Sequence, residues 1–530
     1  MKKGTLLIAA VAALAPIAIV AGSAQAATTY TPSLVYAFNT ENDTSYGPTQ
    51  LASFGDMVAV QLDNGELWVS DGTPAGTHSL EEALNDQDVT SFSIQRERNN
   101  PESLDIDGEL YFFGTFDDGN NPAVEEIFKT DGTTVTRVTT GLGAWNAMYL
   151  FDGMIYAFDG SGAFQVDPST GDFDEFYPEF DCTSFESTQV QMVGGKILFI
   201  GDNNSCDEQL FAWDPATPAT APVAFTASIG ALGNDGVTDI DYMSDEQDTF
   251  TMFEGEMYFA ARGNVAGSDI GTELFKTDGT QAGTVLVKDL NSGSESSSAP
   301  SDSFLYPTIV GDEMFFGEDR NGDMWKSDGT AAGTEQVMVG SPLGSVGDYT
   351  DGLAPVLNGK MITTFYDSDI GDALYSTDGT VAGTELLADT NSTGTDYSLC
   401  WGYCSATALF DDHVFFIAYD GNSNNVWVTD GTPAGSVQVS TFQGEGAVGN
   451  TSSESLAKAG NKLFFGVTDV ESEGGTGEMA LYVIDATGGN ESLATTGIDL
   501  NVTSLSSLVA MALVALAGAA VIARRRNTKA

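Results

Sequence analysis

Short apolar runs in which hydrophobic residues follow one another, rather than alternate with polar ones, recur along the chain. Four of them occupy residues 110–113, 314–316, 414–416 and 463–465. A strand with one face in water would alternate between apolar and polar side chains. The consecutive pattern therefore predicts strands covered on both faces, as in a sheet clamped between two neighbouring sheets.

One motif follows these runs nine times. Residues 66–77 read E-L-W-V-S-D-G-T-P-A-G-T, and residues 273–284 read E-L-F-K-T-D-G-T-Q-A-G-T. In all nine copies the residue three before the aspartate is aromatic and the residue four before it is apolar. The aligned aspartates are Asp71, Asp131, Asp167, Asp214, Asp278, Asp328, Asp378, Asp430 and Asp485.

Each repeat holds four strand-like segments, named a to d in chain order. Glu-Gly or Asn-Gly lies between a and b, and Asp-Gly joins c to d, which is the turn chemistry of hairpins. Four-stranded units stacked on one another predict an all-β fold, a single β-propeller in residues 27–486. Nine motifs predict nine blades, and eight blades with one irregular unit is the alternative.

The ends of the array predict how the ring closes. The ninth repeat stops after its strand c, at residues 480–484, whereas residues 33–39 resemble a strand d that has no repeat of its own. The N-terminal strand is therefore expected to complete the last blade, which leaves few exposed strand edges.

The motif resembles that of the ELWxxDGT-repeat family of bacterial surface proteins, over roughly residues 33–485. The copies at Asp167, Asp214 and Asp485 lack the D-G-T turn. The aspartates are expected to be structural, because an Asp carboxylate can accept hydrogen bonds from backbone N–H groups two residues later and fix a turn. The motif is also similar to the Asp box of sialidases, which is a turn element.

Both ends of the chain look like targeting segments. Residues 1–26 combine Lys2 and Lys3, an apolar stretch and an A-Q-A cleavage site, which predicts a secretory signal peptide. Residues 487–497 form a linker, residues 502–523 form an apolar stretch long enough for a transmembrane helix, and residues 524–530 form a basic tail expected in the cytoplasm.

The C-terminal order resembles the cell-wall sorting signal of Gram-positive bacteria, in the L-A-x-T-G variant of actinobacterial sortases. The resemblance implies that sortase cuts Thr496–Gly497 and joins the threonine to peptidoglycan. The alternative is a plain membrane anchor. The motif residues are Leu493, Ala494, Thr495, Thr496 and Gly497.

The chain has 19 Lys and Arg against 76 Asp and Glu, and residues 27–496 carry a net charge of about −62. Such a surface excludes an ordinary nucleic-acid binder, which needs cations to replace the counterions of phosphate. Two histidines, His78 and His413, are too few for a histidine metal site or several Ser-His-Asp triads.

In an antiparallel blade the b–c loops and the links between blades share one face, and these segments are long and varied here. Because an exported protein meets an oxidising compartment, the disulfides Cys182–Cys206 and Cys400–Cys404 are predicted on that face. Trp401 and Tyr403 lie between the second pair, either as a stacking platform for a sugar or packed on the rim.

Some b–c loops crowd oxygen ligands in the way calcium sites do, and the alternative is plain solvated turns. The candidate ligands are Asp319, Asp323, Asp367 and Asp369. No catalytic motif is recognisable, so a non-enzymatic, wall-anchored binding or structural protein is expected. Its expected partners are sortase, peptidoglycan and an extracellular glycan or protein. The alternative is a glycan-active hydrolase or lyase on the same scaffold.

Overall fold

The nine repeats form nine antiparallel sheets, the blades of a β-propeller, in the computed structural model of the chain. The propeller and its blade count of nine are confirmed. The structure describes residues 30–486, with gaps at 39–45, 98–99, 118, 120–122, 144–146, 159–161, 178–189, 203–207, 218–219, 225–235, 240–249, 266–267, 291–304, 319–322, 339–353, 368–369, 392–406, 443–447, 449–455 and 469–478.

The first five blades include two with an extra strand. Blade 1 consists of Pro48–Phe54, Met57–Leu62, Leu67–Ser70 and His78–Ser79. Blade 2 consists of Val89–Ser93, Ser103–Ile106, Glu109–Phe116, Val124–Thr130 and Val135–Arg137. Blade 3 consists of Ala147–Phe151, Met154–Phe158, Ala163–Val166 and Phe173–Tyr177. Blade 4 consists of Val190–Val193, Lys196–Asp202, Glu208–Trp213 and Val223–Ala224. Blade 5 consists of Gly236–Asp239, Thr251–Phe253, Glu256–Val265, Ser268–Thr277 and Val285–Lys288.

The last four blades have four strands each. Blade 6 consists of Leu305–Val310, Glu313–Glu318, Asp323–Ser327 and Glu335–Met338. Blade 7 consists of Val356–Leu357, Lys360–Asp367, Gly371–Thr377 and Glu385–Ala388. Blade 8 consists of Thr407–Phe410, His413–Tyr419, Asn424–Thr429 and Val437–Gln438. Blade 9 consists of Leu456–Ala459, Lys462–Thr468, Met479–Asp485 and the N-terminal strand Ser33–Ala37.

Little else is regular in the described part of the chain. One short helix and three 3-10 turns lie beside the blades, at Glu81–Asn85, Pro74–Gly76, Val381–Gly383 and Pro433–Gly435. A separate two-stranded hairpin pairs Arg96–Glu97 with Asn100–Pro101.

The consecutive apolar residues of strand b face alternately toward the two neighbouring blades. In blade 2, Leu110 and Phe112 pack against blade 1, whereas Tyr111 and Phe113 pack against blade 3. Side chains of a strand point to opposite faces in turn, so a strand buried on both faces needs an apolar residue at every position. The prediction drawn from this pattern is confirmed.

The core is therefore divided among the interfaces between blades. Nine apolar clusters are formed by the described residues, one between each pair of neighbouring blades around the ring. One of them joins blade 9 to blade 1 and contains Val35, Leu51, Val58 and Phe464. Because this last interface is as apolar as the others, the ring is closed.

The N-terminal strand closes the ring as predicted. Ser33–Ala37 runs antiparallel to Met479–Asp485 and takes the place of strand d in blade 9. Tyr30, just before it, packs against Phe415 of blade 8 with ring centroids 4.9 Å apart. Tyr36 packs against Trp68 of blade 1 at 5.0 Å. The N-terminal segment thus contacts three successive blades.

The a–b hairpins use the left-handed turns that the sequence indicates. In blade 5, Glu254 and Gly255 have φ of 51° and 86°, and in blade 7, Asn358 and Gly359 have φ of 55° and 75°. Positive φ at both central residues is the type I′ geometry that matches the twist of the flanking strands. The c–d connection is longer than an Asp-Gly hairpin, because seven residues, 278–284, separate strands c and d in blade 5.

Closure of the ring by the N-terminal strand can be tested by substituting two adjacent residues of that strand. Val35 is 3% exposed in the cluster between blades 9 and 1, whereas Leu34 is 51% exposed. We expect Val35→Asp to lower the free energy of unfolding by at least about 2 kcal/mol, because it places a carboxylate in an apolar interface. Leu34→Asp is the matched control and should be close to neutral. Denaturant unfolding of residues 27–496 measures both, and equal stability of the two variants would contradict closure by this strand.

Candidate functional site

The ends of the strands fall on two faces of the propeller. Because successive strands are antiparallel, the a–b and c–d turns lie together on what we call the turn face. The b–c loops and the links from strand d to the next strand a lie on the opposite side, the loop face. The repeated motif runs along strand c from the loop face to the turn face, so it contributes residues to both.

The aspartate of D-G-T organises the c–d turn. The Asp71 carboxylate accepts hydrogen bonds from the backbone nitrogen of Thr73 at 2.8 Å and from its hydroxyl at 2.7 Å. The Thr73 hydroxyl oxygen in turn accepts a bond from the backbone nitrogen of Gly76 at 3.0 Å. The hydroxyl of Thr77 donates to the Thr73 carbonyl at 2.7 Å. Every polar residue of D-G-T-x-A-G-T is thus used inside its own turn.

The final glycine of the motif is required by this arrangement. A Cβ on Gly76 would lie 2.2 Å from the carboxylate carbon of Asp71. The same clash would arise at the four other copies that read D-G-T-x-A-G, at Gly283, Gly333, Gly383 and Gly435. The aspartates are therefore turn-forming residues, as their spacing predicts, and the same hydrogen bonds recur at Asp278, Asp328, Asp378 and Asp430.

Hydrogen bonding lowers the pKa of several of these carboxyls. The threonine hydroxyl two residues later is the largest cause of the lowered pKa at Asp71, Asp278, Asp328 and Asp378. At Asp131 the backbone nitrogens of Thr134 and Thr133 are the main causes, and the pKa falls to about 2. Anionic carboxylates that accept several N–H and O–H bonds hold their charge in this way.

The apolar and aromatic residues of the motif face opposite neighbours. In blade 1, Leu67 packs against blade 2, whereas Trp68 packs against blade 9. The pattern holds in all nine blades: the apolar residue faces the next blade and the aromatic residue faces the previous one. The apolar and aromatic positions of the motif therefore form contacts between blades.

Each D-G-T turn is also bound by the preceding blade. A side chain on Gly379 of blade 7 would clash with Phe315 of blade 6, its Cβ lying 2.1 Å from that ring. Polar side chains of the preceding blade donate to carbonyls of the turn. Examples are Lys462 Nζ to Asp71 O at 2.8 Å, Lys196 Nζ to Gly279 O at 3.0 Å, and Asn358 Nδ2 to Asp430 O at 3.1 Å.

Lysines make contacts of this kind both between blades and within a blade. Seven lysines in the described part of the chain bind carboxylates or backbone carbonyls: Lys129, Lys196, Lys276, Lys288, Lys326, Lys360 and Lys462. These seven lysines thus make contacts within the propeller.

In blades 2 and 5 the glutamate that opens the motif acts on the loop face, a role that was not predicted from the sequence. The buried Glu126 accepts hydrogen bonds from the backbone nitrogens of Gly141 and Leu142, in the link that leaves strand d of blade 2. Glu273 accepts one from Leu290 in blade 5. The signal in the sequence that could have indicated this role is the polar residue directly before the apolar and aromatic residues of the motif.

Asparagine takes this role in blade 8. Asn425 accepts a hydrogen bond from the backbone nitrogen of Phe442 at 2.7 Å and donates to Asp420 at 3.1 Å. Asp420 also accepts bonds from Gln438 and from the backbone nitrogens of Asn422 and Ser423. This b–c loop is therefore an internally hydrogen-bonded turn.

The inner strand of blade 2 is interrupted by the Arg96–Glu97 hairpin. Strands a of neighbouring blades contact one another, so they lie innermost in the ring. Val89–Ser93 and Ser103–Ile106 pair with the two halves of strand b, and residues 94–102 leave the sheet between them. Arg96 donates to Ser53 of blade 1 at 3.5 Å and to Ser103 at 3.2 Å, which holds the hairpin at the inner rim.

Most of the site residues expected from the sequence lie outside the described residues. These are Cys182, Cys206, Cys400, Cys404, Trp401, Tyr403, Asp319, Asp369 and the sorting motif Leu493, Ala494, Thr495, Thr496 and Gly497. Asp323 is the first residue of strand c in blade 6, and Asp367 is the last residue of strand b in blade 7, so each lies at a b–c hairpin. Among the residues described, no group of three or more acidic, His or Cys side chains is placed to hold a metal ion. The predicted signal peptide and residues 487–530 are likewise outside the described part of the chain. No helix within the described part is long and apolar enough to span a membrane.

No family model matches the chain, and no curated protein matches it. Several solved structures are similar. Dipeptidyl peptidase 4 of Porphyromonas gingivalis is 8% identical with a TM-score of 0.38, over 79% of this chain and 56% of that one. A puromycin hydrolase is 13% identical with a TM-score of 0.35, over 78% and 57%. The β-propeller domain of the Trilobed protease of Pyrococcus furiosus is 10% identical with a TM-score of 0.30, over 64% and 97%.

These comparisons correct the expectation that the chain is not an enzyme. The similar structures include peptidases, contrary to that expectation. The chain spans just over half the length of the first and second peptidases named above. At such low identity, and with TM-scores below 0.5, these likenesses assign no activity to the chain.

The lowered pKa of Asp131 makes a prediction about acid stability. A carboxyl whose pKa is lower in the folded state contributes stability above its unfolded pKa, near 3.8, and loses it as the pH falls through about 2. We expect the free energy of unfolding to fall over this window, and to fall less steeply in Asp131→Asn. Carboxyl carbon NMR titration should give Asp131 a midpoint near 2, and a midpoint near 3.8 would contradict the hydrogen-bonded turn.

Proposed function

We propose that this chain is a surface protein joined to the cell wall through Thr496, with a propeller that presents its loop face for recognition of an extracellular glycan or protein. The observation that carries the proposal is the order of the C-terminal segments. The pentapeptide at 493–497, the apolar stretch at 502–523 and three successive arginines at 524–526 follow one another as in a sorting signal. The resemblance to ELWxxDGT-repeat surface proteins supports the same location.

The difference between the uniform turn face and the variable loop face supports a recognition role for the loop face. The c–d turns are built from one repeated hydrogen-bond network and are bound to the preceding blades. The b–c loops and blade links instead differ in length and sequence from blade to blade. Variable loops on a rigid scaffold are where binding residues usually lie. Disulfides Cys182–Cys206 and Cys400–Cys404 would restrain two of these loops.

The wall anchor is tested by changing the residue at the sortase cleavage site. We expect Thr496→Ala to move the protein from the muramidase-solubilised wall fraction to the membrane fraction, because the sorting motif would lose the threonine after which the chain is expected to be cut. Thr487→Ala, also in the linker, is the matched control and should leave the wall fraction unchanged. A wall fraction that is the same in both variants would sink the proposal of a sortase anchor.

The recognition role is tested on residues 27–496 with a glycan array read in parallel for binding and for hydrolysis. Binding that is lost when loop-face residues are replaced supports recognition by that face. Turnover of a bound glycan would assign an enzyme.

A further inference from the structure

We infer that the propeller is mounted with its turn face toward the peptidoglycan, so that the loop face is turned to the surroundings. The inference rests on the proposed anchoring through Thr496 and adds an orientation to it. It is drawn from where the chain enters and leaves the ring.

The chain leaves the ring on the turn face. Strand c of blade 9, Met479–Asp485, runs from the loop face to the turn face, as every strand c does. At its end the backbone nitrogen of Ala486 donates to the carbonyl of Asn461, in the a–b turn of the same blade, at 3.0 Å. The chain therefore departs for its anchor from beside an a–b turn.

The chain also enters the ring on the turn face. The Tyr30 hydroxyl donates to the carboxylate of Asp411 at 3.0 Å, and Asp411 lies in the a–b turn of blade 8. From there Ser33–Ala37 runs toward the loop face. Since the predicted signal peptide ends at residue 26, both tethers of the exported precursor would hold the turn face of blades 8 and 9.

The length of the linker favours this orientation. Thr496 is the tenth residue after Ala486, and ten residues span at most about 35 Å when fully extended. Strand b of blade 9 has seven residues, so the blade is about 23 Å deep between its faces. To turn the loop face toward the wall, the linker would have to use most of its reach passing along the rim. With the turn face toward the wall, no such detour is needed.

Two exposed alanines on opposite faces allow a matched test. Ala123 precedes strand c of blade 2 on the loop face, and Ala331 lies in the c–d turn of blade 6 on the turn face. Ala123→Cys and Ala331→Cys are expressed separately in the full chain and treated on intact cells with a maleimide carried by a folded protein too large to enter the wall. The unsubstituted chain measures labelling of the native cysteines.

The expected result is that Ala123→Cys is labelled several-fold faster than Ala331→Cys on intact cells. After muramidase releases the protein, both should react at similar rates, because both positions are exposed in the folded ring. Equal labelling on intact cells, or faster labelling of Ala331→Cys, overturns the orientation while leaving the anchor intact. Recovery of both variants in the medium or the membrane, instead of the wall fraction, overturns the anchor and the orientation with it.

Discussion

The burial of strand b on both faces is the constraint from which the rest of the structure follows. A strand such as Glu109–Phe116, with apolar side chains toward both neighbours, is stable only if a blade stands on each side of it. In an open row of blades the first and last would expose one apolar face each. The ring removes both exposed faces at once, through the cluster that joins blade 9 to blade 1. The N-terminal strand then supplies the strand d that blade 9 lacks.

The residues of the repeated motif provide the contacts between blades and the turns within each blade. Its apolar and aromatic residues face the next and the previous blade, as Leu67 and Trp68 do in blade 1. Its aspartate and threonine build the turn, and its last glycine leaves room for the aspartate carboxylate. In blades 2 and 5 its glutamate, Glu126 or Glu273, accepts hydrogen bonds from the link to the next blade. These residues of the motif therefore have structural roles in the described blades.

Much of the fold could be predicted from the sequence because its determinants are local and repeated. The run at 110–113 indicates burial on both faces, and the unpaired strand at 33–39 indicates closure. The division of strand a into two segments in blades 2 and 5 could not be predicted from the sequence. It depends on which residues pair with strand b again after the chain has left the sheet, as Ser103–Ile106 does. The role of Glu126 was missed because its partners lie 15 and 16 residues further on, in a link without a motif. A ligand site was harder still, since irregular loops carry no periodic signal.

Closure of the ring by the N-terminal strand is tested most directly by a cross-link in the observed register. Ala37 lies opposite Ala480 in blade 9, and paired positions of antiparallel strands have Cα separations that suit a disulfide. Ala37→Cys with Ala480→Cys should oxidise to a bond within one molecule, identified by peptide mapping. Ala37→Cys with Ala388→Cys, which places the second cysteine in strand d of blade 7, should not. Absence of the first bond, or its formation only between molecules, would contradict a ring closed by its own N-terminal strand.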